Sequence, residues 1–221
     1  VADSVTAGRL VEVDGRRLDR WCQGFAVRHG GDSDRGAEPG AIIVDRDRDA
    51  LLLTAPDGAT ARIRAPFSPP STVTDVSGLV EWVLRPRRCA VLLVRRGGYA
   101  CVLLDGARVT SSKVGTRYVQ SRTAAGGWSQ QRFARRREGQ ARELVGAVVQ
   151  IACRVLLVAQ PADWLVTGGD RPLVDEALAD PRLRELAALP RGPHLAIGDP
   201  RSDVVRAVPD LVSRVRILLN P

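Results

Sequence analysis

The sequence is poor in the residues that hold metals and disulfides. Its 221 residues include two histidines, His29 and His194, and four cysteines, Cys22, Cys89, Cys101 and Cys153, far apart and without a C-x-x-C pair. That spacing argues against a structural zinc site or a disulfide framework and predicts buried thiols in a reducing cytosol. No uncharged apolar run reaches about 18 residues, so no membrane-spanning helix is expected. Val1 to Val5 lacks the basic and apolar regions of a signal peptide, and export is not expected. The composition that remains is that of an ordinary globular protein, 44% hydrophobic and 26% charged, long enough for one large domain or two small ones.

Lysine is scarcer still, with Lys113 the single example, and the formal charge of +8 is carried almost wholly by arginine. The excess is local. Arg108, Lys113, Arg117, Arg122, Arg132, Arg135, Arg136, Arg137 and Arg142 fall in one window with a single acid, Glu138. The rest of the chain holds 24 basic and 24 acidic residues. A genome that favours arginine accounts for the missing lysines but not for the missing acids. A concentrated positive segment on a neutral body is the electrostatic footprint of a polyanion binder.

Residues 1–67 read as a small α/β unit. Arg9 to Val13 alternates as a strand does, Leu18, Trp21, Cys22 and Phe25 keep helical spacing, and His29 to Gly40 is polar and glycine-rich, as loops are. Strands over 41–45, 50–54 and 59–63, the last two joined by a Pro56-Asp57-Gly58 turn, suggest a meander. The cluster Pro66, Ser68, Pro69, Pro70 and Ser71 predicts a linker over 68–83. Beyond it, 84–221 reads as a second α/β domain with a mixed sheet flanked by helices. Cys89 to Val94 and Tyr99 to Leu104 are buried strands in consecutive hairpins with Gly97-Gly98 and Asp105-Gly106 turns, followed by strands over 107–112 and near 117–122. Ser129 to about Ala152 reads as one long helix with Phe133, Ala141, Leu144, Val145, Val148 and Ala152 on its apolar stripe. A strand at Trp164 to Gly169, a helix over 172–189 interrupted at Pro181, a strand at His194 to Gly198 and a closing helix over 203–219 complete the reading.

The chemistry concentrates between these elements. Adjacent Gly126 and Gly127 give the loop backbone angles closed to other residues and let an RNA end approach closely. The helix that starts just beyond offers free amides and the positive end of its dipole. Trp128 can stack on a base or ribose. Gln130 and Gln131 can orient a water and donate to a developing oxyanion.

The string Gly126-Gly127-Trp128-Ser129-Gln130-Gln131-Arg132-Phe133-Ala134-Arg135-Arg136-Arg137 resembles, without gaps, the loop and helix start of the peptidyl-transferase-centre domain of eukaryotic and archaeal class-one release factors. Their pattern is a GGQ tripeptide followed by S-x-x-R-F-A-R. More closely it resembles the actinobacterial branch of the Vms-like release factors. The resemblance covers roughly residues 84–219 in element order and implies the mixed, RNase-H-like sheet of the release-factor middle domain. Trp128 stands where the GGQ pattern has its glutamine, whereas the Vms-like group accommodates G-x-x-Q, which Gly127-Trp128-Ser129-Gln130 fits. The resemblance therefore implies a metal-independent peptidyl-tRNA hydrolase that needs no cofactor and rescues stalled ribosomes. Gln130 is then the catalytic amide, Gln131 the alternative, and Gly126 and Gly127 the hinge. Trp128, Arg132, Arg135, Arg136, Arg137, Arg117, Arg122 and Lys113 would contact RNA. The implied partners are the large ribosomal subunit and peptidyl-tRNA, met by a cytoplasmic monomer.

Three rivals share these features. A metal-dependent nuclease would need several carboxylates converging on magnesium, and Asp105, Asp163, Asp170, Asp175 and Glu176 are available. The same loop could cleave the tRNA 3′ end, or the protein could bind RNA without catalysis. His194, Trp21, Trp82, Trp164 and the Gly168-Gly169-Asp170 run read as structural residues.

Overall fold

A computed structural model describes residues 8–30, 42–116, 129–157 and 161–220, with the backbone alone described over 129–138. The chain divides into two compact units. The first takes residues 1–85 and 213–221, and the second takes 86–212.

The first unit is an antiparallel sheet covered on one face. Its elements are β1 (Arg9–Asp14), α1 (Leu18–His29), β2 (Ile43–Asp47), β3 (Ala50–Thr54), β4 (Thr60–Arg64) and α2 (Val76–Leu84). A strand from the far end of the chain, β10 (Arg214–Asn220), completes the order β1-β10-β4-β3-β2. Along these strands apolar and polar residues alternate, so Leu51, Leu53, Ala61, Ile63, Val215 and Ile217 all fall on one face. Leu18, Cys22 and Phe25 of α1 and Leu79 and Val83 of α2 join them in one core.

Two expectations are corrected here. The segment expected as a linker over 68–83 is folded into this unit. Arg46 donates to the carbonyls of Pro69, Pro70 and Val73 at 3.0, 2.8 and 2.8 Å, fixing the proline-rich stretch to β2. Asp75 then caps α2 by accepting from the Gly78 N–H at 2.7 Å, an interaction worth about 1 kcal/mol. Leu79 and Val83, one turn apart, take the helix into the core. The closing helix expected over 203–219 stops at Val212, because from Arg214 onward the apolar residues Val215, Ile217 and Leu219 recur every second position rather than along a helical stripe. That period makes β10 a central strand between β1 and β4, so the first unit is closed by the end of the chain rather than by residues 1–67 alone.

The second unit contains β5 (Arg88–Arg95), β6 (Gly98–Asp105), β7 (Arg108–Thr116), α3 (Ser129–Val155), β8 (Trp164–Gly169), α4 (Arg171–Leu178), α5 (Arg184–Ala187), β9 (Arg191–Leu195) and α6 (Ser202–Val212). The sheet runs β7-β6-β5-β8-β9, antiparallel through β7, β6 and β5 and parallel from β5 through β8 to β9. This is the expected mixed sheet flanked by helices. Ala90, Leu92, Val94, Cys101 and Leu103 meet Leu144, Val145, Val148, Val149 and Ala152 of α3 and Leu173, Val174 and Ala177 of α4. The alternate residues Cys89, Val91, Ala100, Val102 and Leu104 are equally buried on the other face, and α6 packs against β6, β7 and β9 with Val205, Val208 and Val212 inward. Burial on both sides explains why β5 and β6 are apolar almost throughout. The strand expected at His194 to Gly198 lies three residues earlier, at Arg191–Leu195. It takes in Pro193, which an edge strand tolerates because one side of its backbone needs no hydrogen-bonding partner. The strand expected near 117–122 lies outside the described residues.

Candidate functional site

The sheet places the two ends of the candidate loop. β7 ends at Thr116, paired with Gly98 at the β5–β6 turn, and α3 begins at Ser129. Residues 117–128 join them. Arg117, Arg122, Gly126, Gly127 and Trp128 therefore lie outside the described residues. Gln130, Gln131, Arg132, Arg135, Arg136 and Arg137 lie on the first turns of α3, their side chains outside the described part.

Lys113 is described. It is exposed on β7 opposite Cys101, whose side chain belongs to the α3-side core, so Lys113 projects from the sheet face that α3 covers. Gly115, two residues on, shares that face. A Cβ there would sit 2.3 Å from the Tyr99 ring, so its lack of a side chain lets the ring lie across β7 at the base of the loop. On the other side of the loop, α3 is held by Leu144, Val145, Val148, Val149 and Ala152, with Leu156 just past its end in the same core. Ser129 lies roughly 22 Å along the helix axis from Leu144 at the standard rise. The free amides of the first α3 turn, at the positive end of a 27-residue helix, favour an anion there.

The same end of the sheet gathers three other segments. The Asp170 N–H donates to the Val94 carbonyl at 2.7 Å and the Arg96 N–H to Asp170 Oδ2 at 3.2 Å, tying the β5–β6 turn to the start of α4. Arg95 Nη1 donates to the Ile197 carbonyl at 2.7 Å and so brings in the chain after β9. Gly169 adopts φ +88°, and a Cβ would fall 2.2 Å from the Val94 carbonyl oxygen. At Gly168 a Cβ would fall 2.8 Å from Leu93 Cδ2 and 3.0 Å from the Leu195 carbonyl oxygen, a looser but still crowded fit. These two glycines, which end β8, are thus required by packing. His194 is structural as well. Its Nε2 donates to the Gly169 carbonyl at 3.1 Å, which leaves Nδ1 to accept from the Thr167 hydroxyl at 2.9 Å. The corner presents exposed Arg96 and Arg171. Sequence reasoning passed over both, because parallel pairing of β5 with β8 is what joins positions 75 residues apart.

The carboxylates considered for a nuclease do not converge. Asp105 pairs with Arg88 in the ladder and Asp163 accepts from the Arg88 N–H at 3.1 Å, which puts both at the start of β5. Asp170 lies at its far end, about 20 Å away at the usual strand rise. Asp175 and Glu176 are exposed on α4. Among the described residues no three of His, Cys, Asp and Glu are grouped closely enough to hold a metal ion. All four thiols are free. Burial pushes Cys22 up to about 11 and Cys89 and Cys101 up to about 12, values at which a thiol stays protonated near neutrality and is a poor nucleophile. Trp21 stacks on Phe25, and Trp82 Nε1 donates to the Phe67 carbonyl at 2.9 Å, each at the border of the first core.

No described helix is long and apolar enough to cross a membrane. Comparison with curated proteins gives no match. Comparison with protein families does: residues 87–218 match the family described as the Actinobacteria/chloroflexi VLRF1 release factor. The match takes in the sheet of the second unit, the glycine loop, α3 and most of β10. It spans more than half of the chain, which belongs to the VLRF1 release-factor family.

Proposed function

We propose that the protein is a peptidyl-tRNA hydrolase that acts on the large ribosomal subunit and frees nascent chains from stalled translation. The observation that carries the reading is the family match, which contains the whole loop from Gly126 to Arg137. The fold supports it, since the loop springs from a sheet end held by interstrand pairing and leads into a helix anchored by its C-terminal half.

The reaction is attack of water on the carbonyl carbon of the ester joining the nascent chain to the terminal ribose. The oxyanion of the tetrahedral intermediate then collapses, expelling the ribose oxygen, which takes up a proton. An ester is activated enough for water positioning and oxyanion stabilisation to supply the rate. Gln130 suits that task as an uncharged group with both a donor and an acceptor; Gln131 is the alternative. Gly126 and Gly127 let the backbone approach the tRNA end. Trp128 stacks on it. Lys113, Arg117, Arg122, Arg132, Arg135, Arg136 and Arg137 hold phosphates, and Arg96 and Arg171 extend the same surface. On this reading the protein works in the cytoplasm as a monomer, on peptidyl-tRNA bound to the large subunit.

Large subunits carrying peptidyl-tRNA, incubated with the protein in EDTA, test the reading. It requires released peptide and a tRNA that keeps its intact 3′ end. A shortened tRNA would make the protein a tRNA 3′-end nuclease, and binding without any product, both in EDTA and with magnesium restored, would make it a non-catalytic binder.

A further inference from the structure

The family match begins at residue 87 and leaves β1 to β4, α1 and α2 of the first unit without a role. We propose that one flank of α1 is an RNA-binding surface, which meets the phosphodiester backbone through Arg17, Arg20 and Arg28. That the RNA is large-subunit ribosomal RNA rests on the proposed function; that the flank binds RNA does not.

Several arginines of this unit are paired or consumed. On the sheet, Arg62 pairs with Asp47 at 2.8 Å, Arg64 with Asp49 at 3.2 Å, and Arg214 and Arg216 with Glu12 at 3.1 and 3.4 Å. Arg46 is consumed by three carbonyls, and Arg16 is held by Asp14 at 2.7 Å. Arg17, Arg20 and Arg28 are exposed, and none forms an ion pair with an acid among the described residues, although Asp14 lies near enough to Arg17 to feel its charge. Arg17 ends the 3-10 turn Gly15–Arg17 that runs straight into α1, and Arg20 and Arg28 follow on α1 three and eleven residues later, so the three share one flank over roughly 16 Å. The acid of this helix, Asp19, lies on the other flank, where it accepts from the Gln23 amide at 2.8 Å.

The shape of the flank fits a strand rather than a pocket. Gly24 occupies the stripe between Arg20 and Arg28, and a Cβ there would lie 3.1 Å from Arg28 Nη1, so the guanidinium rests along the bare helix surface. Trp21, half-buried and stacked on Phe25 with centroids 5.8 Å apart, borders the stripe. The inward face is fixed by Leu18, Cys22 and Phe25, so the arginines are presented on a rigid element. Exposed arginines at fixed spacing, none of them held in an ion pair among the described residues, match the phosphate row of RNA: each contact releases counterions and each guanidinium can grip phosphate oxygens in a fork.

The test compares the full chain with its Arg17→Ala/Arg20→Ala/Arg28→Ala variant in binding to large ribosomal subunits and to the same ribosomal RNA stripped of protein, at several salt concentrations. The expected result is binding about tenfold weaker near physiological salt and a shallower salt dependence, by about two to three phosphate contacts, on both targets. The matching Arg→Lys triple variant, which keeps the charges, should retain most of the slope. An unchanged slope for the alanine variant overturns the inference. So does a loss seen on subunits but not on bare RNA, which would make the flank a protein contact. A lysine variant as weak as the alanine one overturns it too, because charge would then not be the cause. Peptide release by the parent protein, read in the same preparation, separates the claims. A slope that shifts without any release leaves the RNA surface standing and removes the hydrolase, whereas release with an unshifted slope does the reverse.

Discussion

Among the described residues of each unit, the first sheet is covered on one face and the second on both, and their strands differ accordingly. In β4 the order Thr60-Ala61-Arg62-Ile63-Arg64 sends alanine and isoleucine inward and arginine outward, and β10 repeats the pattern with Arg214, Val215, Arg216 and Ile217. In β5, by contrast, every residue from Cys89 to Val94 is buried. The open face of the first sheet is therefore laced with cross-strand ion pairs, which are individually weak in water but keep a broad sheet soluble. The second sheet spends both faces on packing. It thereby becomes a stiff base from which a loop and a long helix can be aimed, and this is the unit that carries the release-factor loop.

Substitution of like residues in the two sheets sharpens the contrast. Leu92→Ala removes a side chain with no exposed surface from the middle of the second sheet and should cost about 2 to 5 kcal/mol in chemical denaturation. Leu52→Ala, on the open face of the first sheet opposite Arg62 and Asp45, should cost about 1 kcal/mol or less. Equal losses would erase the distinction between the sheets. The smallest effect is electrostatic. A side-chain hydrogen bond from Arg16, helped by the Arg16 N–H, holds the Asp14 carboxyl down to about 2 from its usual 3.8, against partial burial that raises it. The stabilisation is full above about pH 4 and fades as the pH falls toward 2. Asp14→Asn, which keeps an oxygen to cap the turn, should be slightly less stable than the parent near neutrality. The gap should close between pH 4 and 2, read as thermal midpoints across that range; a gap that persists at pH 2 would assign the effect to shape rather than charge.

Much of the second unit could be read directly from residues. Gly97-Gly98 and Asp105-Gly106 mark turns between apolar runs, and the stripe through Leu144, Val148 and Ala152 marks α3. The errors have local causes. After Ser213 the apolar spacing changes from helical to alternating with no glycine or proline at the switch, and Pro209 is accommodated inside α6. The prolines from 66 to 70 suggested a boundary strongly enough to hide the short α2 that follows, and nothing in the sequence announces that Arg46 will fasten them to β2. For the site, the glycine loop and its glutamines were visible as a string. The corner that presents Arg96 and Arg171 was not, because it arises from a parallel strand pairing that carries no local signal.

The central claim is that the Gln130 amide beside the double glycine positions the water and oxyanion for ester cleavage, and the rate of peptide release by Gln130→Ala on large subunits loaded with peptidyl-tRNA tests it most directly. The account predicts a fall of about a hundredfold or more, the usual consequence of deleting an oxyanion or water-positioning group. Release at the parent rate would contradict it.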